Sequence, residues 1–182
     1  MKWIERRFTV RLSIEQIVEG YSDYLLRIAY IYVKDKRYAE EIVQDVFINF
    51  YKKQDQFREQ SSLKTYLTKM TVNRSYDYLR SWKSKKELLF ERVGFKGNSK
   101  DSERLLMESE EKMELTKAVL QLKIKYREVI LLYYFGDYSI EEIAQLLHTP
   151  NSTIKSRIQR ARNMLKEILQ QSDLEVLING NE

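Results

Sequence analysis

The scarcity of helix-breaking residues is the feature that most limits what this chain can fold into. Its 182 residues include one proline and five glycines, the two residue types that most destabilise a helix interior. Apolar residues recur at helical spacing along most of the chain, and this period favours amphipathic helices over strands. We therefore predict an all-α fold, built from two small helical domains that a flexible linker joins.

The only proline, Pro150, lies between two short helical patterns. Ser139 and Glu142 have the spacing of a capping box, which predicts the start of the first helix. Thr149 is the predicted N-cap of the second helix, and Pro150 then occupies its first position, where a missing N–H costs no hydrogen bond. The segment from Ser139 to Lys166 therefore predicts a helix-turn-helix that presents its second helix outward.

The second helix of this motif has the composition of a DNA-reading helix. From Asn151 to Lys166 it carries five basic residues and no acidic residue. A helical wheel places its apolar side at Ile154, Ile158, Ala161, Leu165 and Ile168, with a polar stripe opposite. In a helix-turn-helix the first turns of this helix reach base edges, while flanking cations meet phosphates. The candidates for reading bases are Ser156, Gln159 and Arg160, and those for binding phosphates are Lys155, Arg157 and Arg162. The alternative is a solvated basic face on an ordinary helical hairpin.

The composition narrows the classes of function. A net charge of +5 at pH 7 favours polyanionic partners such as nucleic acids. The absence of cysteine excludes disulfide bonds and thiolate metal sites. The sequence contains no glycine-rich phosphate loop and no nucleophile–base pair, so we expect no catalytic residue, metal, cofactor or small-molecule substrate. Without a run of about eighteen apolar residues or a signal-like N-terminus, the chain is expected to be soluble and cytoplasmic.

Changes in composition along the chain predict five segments. The stretch around Gly94 and Gly97 is the least regular and is followed by an acidic run, which marks it as the linker. The predicted segments are a lead-in at residues 1–13, a first domain at 14–86, the linker at 87–111, a second domain at 112–171 and a tail at 172–182. Within the first domain, apolar periodicity predicts helices at Glu19–Val33, Arg37–Lys53 and Ser62–Trp82.

Three blocks of sequence occur in an order that is typical of one protein family. They are AEEIVQDVFINFYKK, SSLKTYLTKMTVNRSYDYLRSWKSKK and, after the linker, YREVILLYYFGDYSIEEIAQLLHTPNSTIKSRIQRARNMLKEIL. In this order they resemble the bacterial sigma-70 family of RNA polymerase sigma factors. The length and the two-domain layout are similar to those of its extracytoplasmic-function (ECF) branch. The resemblance covers most of the chain, from Tyr21 to Leu169.

The resemblance implies a role for each domain. The first, sigma region 2, would bind the clamp of core RNA polymerase through residues that match Glu41, Gln44 and Asp45. It would also recognise and melt the minus-ten promoter element, where aromatic side chains replace base stacking. The residues that match this site are Tyr66, Asn73, Arg74, Tyr76, Arg80, Trp82 and Lys83. The second, sigma region 4, would read the minus-thirty-five element through Ser152, Thr153, Lys155, Ser156, Arg157, Gln159, Arg160 and Arg162.

The resemblance also implies partners and a function. The implied partners are core RNA polymerase, promoter DNA and a membrane-anchored anti-sigma factor that would hold the protein at the inner face of the membrane. The implied function is promoter recognition, DNA opening and transcription initiation, with no catalysis by the chain itself. Two other functions remain open. One is a free-standing helix-turn-helix repressor or activator, and the other is a helical adaptor without salt-sensitive DNA binding.

The turn of the helix-turn-helix departs from the family's usual pattern. His148 and Ser152 stand where the family prefers glycine. A left-handed backbone is disfavoured for most side chains, although histidine tolerates it better than most. We therefore expect any difference from the family geometry to lie in this turn.

Overall fold

The described part of the chain is built from helices. The computed structural model describes residues 13–54, 61–89 and 110–179, with side chains for 13–54, 61–81 and 114–170. The α-helices in these residues are α1 Ile14–Val33, α2 Lys36–Lys53, α3 Leu63–Leu89, α4 Glu110–Gln121, α5 Ile124–Ile130, α6 Ile140–Leu146 and α7 Asn151–Asn179. A π-helical segment, Leu131–Phe135, continues α5. These residues contain no strand, so the all-α prediction is confirmed.

Polar caps fix where the first two helices begin. The Ser13 hydroxyl accepts a hydrogen bond from the Gln16 N–H at 3.3 Å, and Gln16 Oε1 accepts one from the Ser13 N–H at 2.9 Å. α1 therefore begins at Ile14, ahead of the predicted Glu19, because this capping box sets its first turn. Asp35 caps α2 by accepting a hydrogen bond from the Tyr38 N–H at 3.2 Å.

The helices also extend further than the apolar pattern predicts. α3 continues to Leu89, past the predicted end at Trp82, and α7 continues to Asn179, through most of the predicted tail. Most of the predicted linker, the predicted lead-in except Ser13, and the last three residues of the tail lie outside the described residues.

Helices α1, α2 and α3 form the first helical unit around a core of their own. α2 contributes the predicted apolar rows, and its buried members are Ala39, Ile42, Val43, Val46, Phe47 and Phe50. Leu25 and Ala29 from α1 and Leu67 from α3 complete this core. Full burial of an aliphatic or aromatic side chain contributes about 1.5–3 kcal/mol. This cluster therefore stabilises the unit and fixes α2 with its polar side outward.

Helices α4 to α7, with the π-helical segment, form the second helical unit. Its long helix α7 buries Ile154, Ile158 and Ala161, and half-buries Leu165 and Ile168. This distribution confirms the predicted apolar side of α7. The opposite side of α7 is consequently left to solvent.

A shared apolar cluster joins the two helical units. Ile28 and Ile31 of α1 and Val72 of α3 pack in the same cluster as second-unit side chains that include Val129 and Leu132. Each of these residues is less than one-tenth exposed. The two predicted helical domains are therefore both present, and they pack against each other through this cluster.

Candidate nucleic-acid interface

The helix-turn-helix is present, and its first helix begins as predicted. The Glu142 N–H donates to the Ser139 hydroxyl at 3.2 Å, and the Ser139 N–H donates to Glu142 Oε2 at 2.8 Å. α6 ends with His148 in the left-handed conformation, at φ 49°. The following N–H, that of Thr149, then donates to the Ala144 carbonyl at 2.9 Å. His148 thus takes the strained backbone position that closes the turn.

The start of the second helix differs from the prediction. The Thr149 hydroxyl donates to the Leu147 carbonyl at 3.1 Å, so it is used by the turn and does not cap α7. α7 begins at Asn151, and the Pro150 carbonyl accepts the Ile154 N–H at 3.0 Å. Pro150 therefore holds the N-cap position and not the first helical position. The prediction of Thr149 as the N-cap is wrong.

The polar stripe of α7 is open to solvent in the described structure. Exposed residues are Ser152, Lys155, Ser156, Gln159, Arg160 and Arg162, and half-buried ones are Thr153 and Arg157. The Ser156 hydroxyl donates to the Thr153 carbonyl at 2.9 Å, and Gln159 Nε2 donates to Asn163 Oδ1 at 3.4 Å. The stripe presents donors and positive charge to solvent, as a major-groove helix requires.

Two arginines of α7, Arg160 and Arg162, each interact with a tyrosine outside that helix. Arg162 Nε donates to the Tyr134 hydroxyl at 2.5 Å. Its guanidinium also lies over the Tyr134 ring, 5.4 Å from the centroid. On the other flank, a hydrogen bond with Arg160 lowers the pKa of Tyr126. Sequence reasoning did not assign either tyrosine. Tyr134 belongs to the run of aromatic residues before Gly136, which does not show that its members face α7, and Tyr126 lies outside that run.

Arg157 makes a different contact from the other basic residues of α7. Its Nη1 lies 3.4 Å from Oε1 of Glu128, and the Glu128 side chain is 3% exposed. The hydroxyls of Tyr32 and Tyr76 donate to the other carboxylate oxygen. Burial raises the pKa of Glu128, although the tyrosine hydrogen bonds and Arg157 act in the opposite direction. Arg157, a predicted phosphate-binding residue, and Tyr76, a predicted minus-ten residue, therefore contact the same carboxylate, that of Glu128.

The predicted polymerase-binding residues lie on the outer side of α2. Glu41 and Gln44 are exposed, and Asp45 is half-exposed. Asp45 Oδ2 accepts a hydrogen bond from Nε of Arg74 at 2.8 Å. The structure thus joins a predicted polymerase-binding residue to a predicted minus-ten residue. Arg74 lies beside the α2 face, which extends the polar surface from α2 onto α3.

The remaining minus-ten candidates lie in different environments along α3. Asn73 is exposed, and the exposed Arg80 forms an ion pair with Asp77 one turn away. Tyr66 is half-buried, and its ring packs edge-on against Phe50 with 6.2 Å between centroids. The side chains of Trp82 and Lys83 lie outside the described residues. The candidates whose side chains are described, Tyr66, Asn73 and Arg80, therefore do not form one cluster.

The described residues lack the features of two other classes of site. The side chains of the described part contain no group of three or more His, Asp or Glu residues arranged to hold a metal ion. Among the described helices, none combines the length and the apolar character that a membrane crossing demands.

Comparisons with known proteins agree on one family. The description "Sigma-70 region 2" matches residues 17–85, and "Sigma-70, region 4" matches residues 112–165. The ECF RNA polymerase sigma factor SigW of Bacillus subtilis (strain 168) is 30% identical over 166 residues, which cover 86% of this chain and 89% of that protein. The ECF RNA polymerase sigma-E factor of Escherichia coli (strain K12) is 30% identical over 139 residues, which cover 71% of this chain and 73% of that protein.

A solved structure supports the same relationship at the level of the fold. It is the sigma factor RpoE in complex with the anti-sigma factor NepR from Bartonella quintana, with a TM-score of 0.70 and 26% identity. The similarity covers 86% of this chain and 96% of that one. The helix-turn-helix, both regional matches and the full-length relatives lead to one conclusion. The chain belongs to the sigma-70 family of RNA polymerase sigma factors, in its extracytoplasmic-function group.

Proposed function

We propose that this sigma factor binds a promoter at two elements. The outer stripe of α7 binds the upstream, minus-thirty-five element, and α3 binds the downstream, minus-ten element. The observation that carries the proposal is the exposed stripe of α7, which has no acidic residue between Asn151 and Lys166. A phosphate backbone attracts such a surface, and the helix-turn-helix aims its first turns at base edges. Ser156, Gln159 and Arg160 read bases, and Lys155, Arg157 and Arg162 bind phosphates.

The outer face of α2 is the proposed docking surface for core polymerase. Glu41 and Gln44 are exposed there, and the apolar side of the helix is fixed in the core of the first unit. This arrangement supports a rigid polar surface. Asp45 belongs to the same surface, and its ion pair with Arg74 sets the position of the carboxylate.

Helix α3 is the proposed element for recognising and opening the minus-ten region. Asn73 and Arg80 are exposed and supply polar and cationic contacts to a separated strand. Tyr66 is half-buried and packs against Phe50, so part of its ring is already covered within the first unit. Tyr76 is bonded to Glu128 and reaches DNA only when that bond is broken. The chain itself performs no catalytic step, because polymerase carries the chemistry.

An anti-sigma factor is the proposed regulator. The RpoE structure with which this chain shares its fold holds the anti-sigma factor NepR. That likeness supports a protein partner of the same class here, one that covers the polymerase-binding and DNA-binding surfaces. We further propose that the sigma factor acts in the cytoplasm, with a membrane-anchored anti-sigma factor holding it at the inner face of the membrane.

Reconstituted transcription tests the proposal. Purified core polymerase and a promoter selected for this factor should give specific transcripts only when the chain is added. Arg160→Ala should weaken use of the upstream element by about 1–3 kcal/mol and leave core binding intact. Glu167→Ala, a change at an exposed α7 position beyond the C-terminal end of the stripe, is the matched control. Binding to duplex DNA without any transcript would contradict the proposed function as a sigma factor. Loss of core binding in Arg160→Ala would contradict the assignment of the α7 face to DNA.

A further inference from the structure

Two amide side chains lie next to each other on the exposed stripe of α7. Gln159 and Asn163 are four residues apart on the helix, and both side chains are exposed. Nε2 of Gln159 donates a hydrogen bond to Oδ1 of Asn163 at 3.4 Å. The terminal torsion of a glutamine is broad and roughly two-fold, so a free amide readily exchanges the places of its oxygen and nitrogen. The bond to Asn163 keeps the nitrogen toward Asn163 and favours one orientation of the Gln159 amide.

The groups that remain on the Gln159 amide match the major-groove edge of adenine. A primary amide has two N–H donors and one carbonyl acceptor. A two-bond contact with a base uses the carbonyl and the N–H on the same side, which leaves the outer N–H for Asn163. Adenine presents a donor at N6 beside an acceptor at N7, and no other base shows this pair in the major groove. Gln159 can therefore form both bonds to adenine and keep its bond to Asn163.

The other two base-reading candidates of α7 offer different hydrogen-bonding groups. The Ser156 hydroxyl donates its hydrogen to the Thr153 carbonyl at 2.9 Å, so Ser156 presents acceptor lone pairs to the groove. The Arg160 guanidinium has donors and no acceptor, which suits the two acceptors of guanine. Of the three candidates, Gln159 is therefore the one that presents a donor beside an acceptor, as a contact with adenine requires.

We propose that Gln159 reads an adenine of the upstream element, and that Asn163 is a positioning residue that sets this specificity by orienting the Gln159 amide. The inference deepens the proposed function and rests on it, because it requires the stripe of α7 to lie in the major groove. Asn163 is one turn farther from the start of α7, roughly 6 Å along the axis at about 1.5 Å per residue. Its effect on this base therefore passes through Gln159.

Transcription by the reconstituted holoenzyme from a promoter library tests the proposal. The library randomises the upstream element of a promoter selected for this factor, and sequencing of the transcripts gives the relative use of each base at each position. With the wild-type chain, one position should prefer adenine about fivefold or more, the discrimination of one two-bond contact. Gln159→Ala should remove the preference at that position only. Gln159→Glu should shift it toward cytosine, because a carboxylate accepts a hydrogen bond from cytosine N4.

Variants of Asn163 distinguish positioning from direct reading. Asn163→Ala should lower the adenine preference at the Gln159 position about 1.5- to twofold, the effect of one exposed side-chain pair on a helix. In the Gln159→Ala background it should have no further effect at that position. Asn163→Asp keeps an acceptor oxygen, so it should retain the adenine preference while its negative charge reduces use of all the promoters alike. Gln170→Ala, at an exposed position farther along α7, is the matched control and should leave the preference unchanged.

The outcomes separate this inference from the proposed function. Promoter-specific transcripts without any position at which Gln159→Ala abolishes an adenine preference would overturn the adenine contact. An Asn163→Ala profile equal to that of Gln170→Ala, or one that changes a different position, would overturn the positioning role. Both results would leave the proposed function standing, because transcription still depends on the chain. A holoenzyme that makes no promoter-specific transcript would overturn the proposed function and the adenine contact with it.

Discussion

Tyr134 provides the sharpest test of how the α7 stripe meets DNA. Its hydroxyl accepts Nε of Arg162 at 2.5 Å, and this bond does not use the terminal Nη groups, which are the donors that suit a phosphate. Removing the hydroxyl in Tyr134→Phe leaves the ring, over which Arg162 lies at 5.4 Å. The free arginine then loses its fixed orientation, and DNA binding has to order the side chain instead.

The size of the effect follows from the exposure of the pair. A hydrogen bond to a charged group contributes about 1.5–3 kcal/mol when it is shielded. Tyr134 is 54% exposed, so solvent screening lowers the contribution to about 0.5–1 kcal/mol. Tyr134→Phe should therefore weaken binding of an upstream-element duplex about two- to fivefold. Tyr133→Phe, at the neighbouring ring, is the matched control and should change binding less.

A double-mutant cycle isolates this effect. Fluorescence anisotropy with a labelled duplex at several salt concentrations would compare Tyr134→Phe, Arg162→Ala and the combined variant. Arg162→Ala should reduce the salt slope by about one, as expected for one phosphate contact, and Tyr134→Phe should leave the slope unchanged. In the Arg162→Ala background, Tyr134→Phe should have no further effect. An equal loss in both backgrounds, or tighter binding by Tyr134→Phe, would refute the positioning role.

Three further changes test other parts of the structure. Gly136→Ala should lower the free energy of unfolding in urea by about 1–3 kcal/mol, because a Cβ there would lie 2.7 Å from the Tyr138 ring; unchanged stability would contradict this. Asp45→Arg should weaken the ability of this chain to compete with another sigma factor for core polymerase, and it should leave the circular dichroism spectrum unchanged. Normal competition by this variant would count against the assignment of the α2 face. Burial raises the pKa of the Glu128 carboxyl above its ordinary value of 4.5. The protonated carboxyl therefore contributes its full stabilisation below pH 4.5, and this stabilisation falls as the pH rises through the higher pKa of the folded chain. The stability of wild type relative to Glu128→Gln should fall over this range, and a difference independent of pH would be the contrary result.

Much of the second helical unit could be predicted because its signals are local. The capping box at Ser139 is set by neighbouring residues. The apolar side of α7 follows from helical spacing alone. His148 was recognised as the position where a left-handed backbone would be required, and it has φ 49°. Thr149 was assigned wrongly because its hydroxyl has two possible local partners, and spacing does not decide between the turn carbonyl and the helix end.

The packing of one unit on the other could not be predicted from periodicity. An apolar stripe shows which side of a helix is buried but not which helix covers it. Glu128 follows an arginine in a stretch of charged and apolar residues, where an acid is usually solvated. Its partners Tyr32 and Tyr76 are 96 and 52 residues away in sequence. Contacts at such separations leave no local pattern in a single sequence.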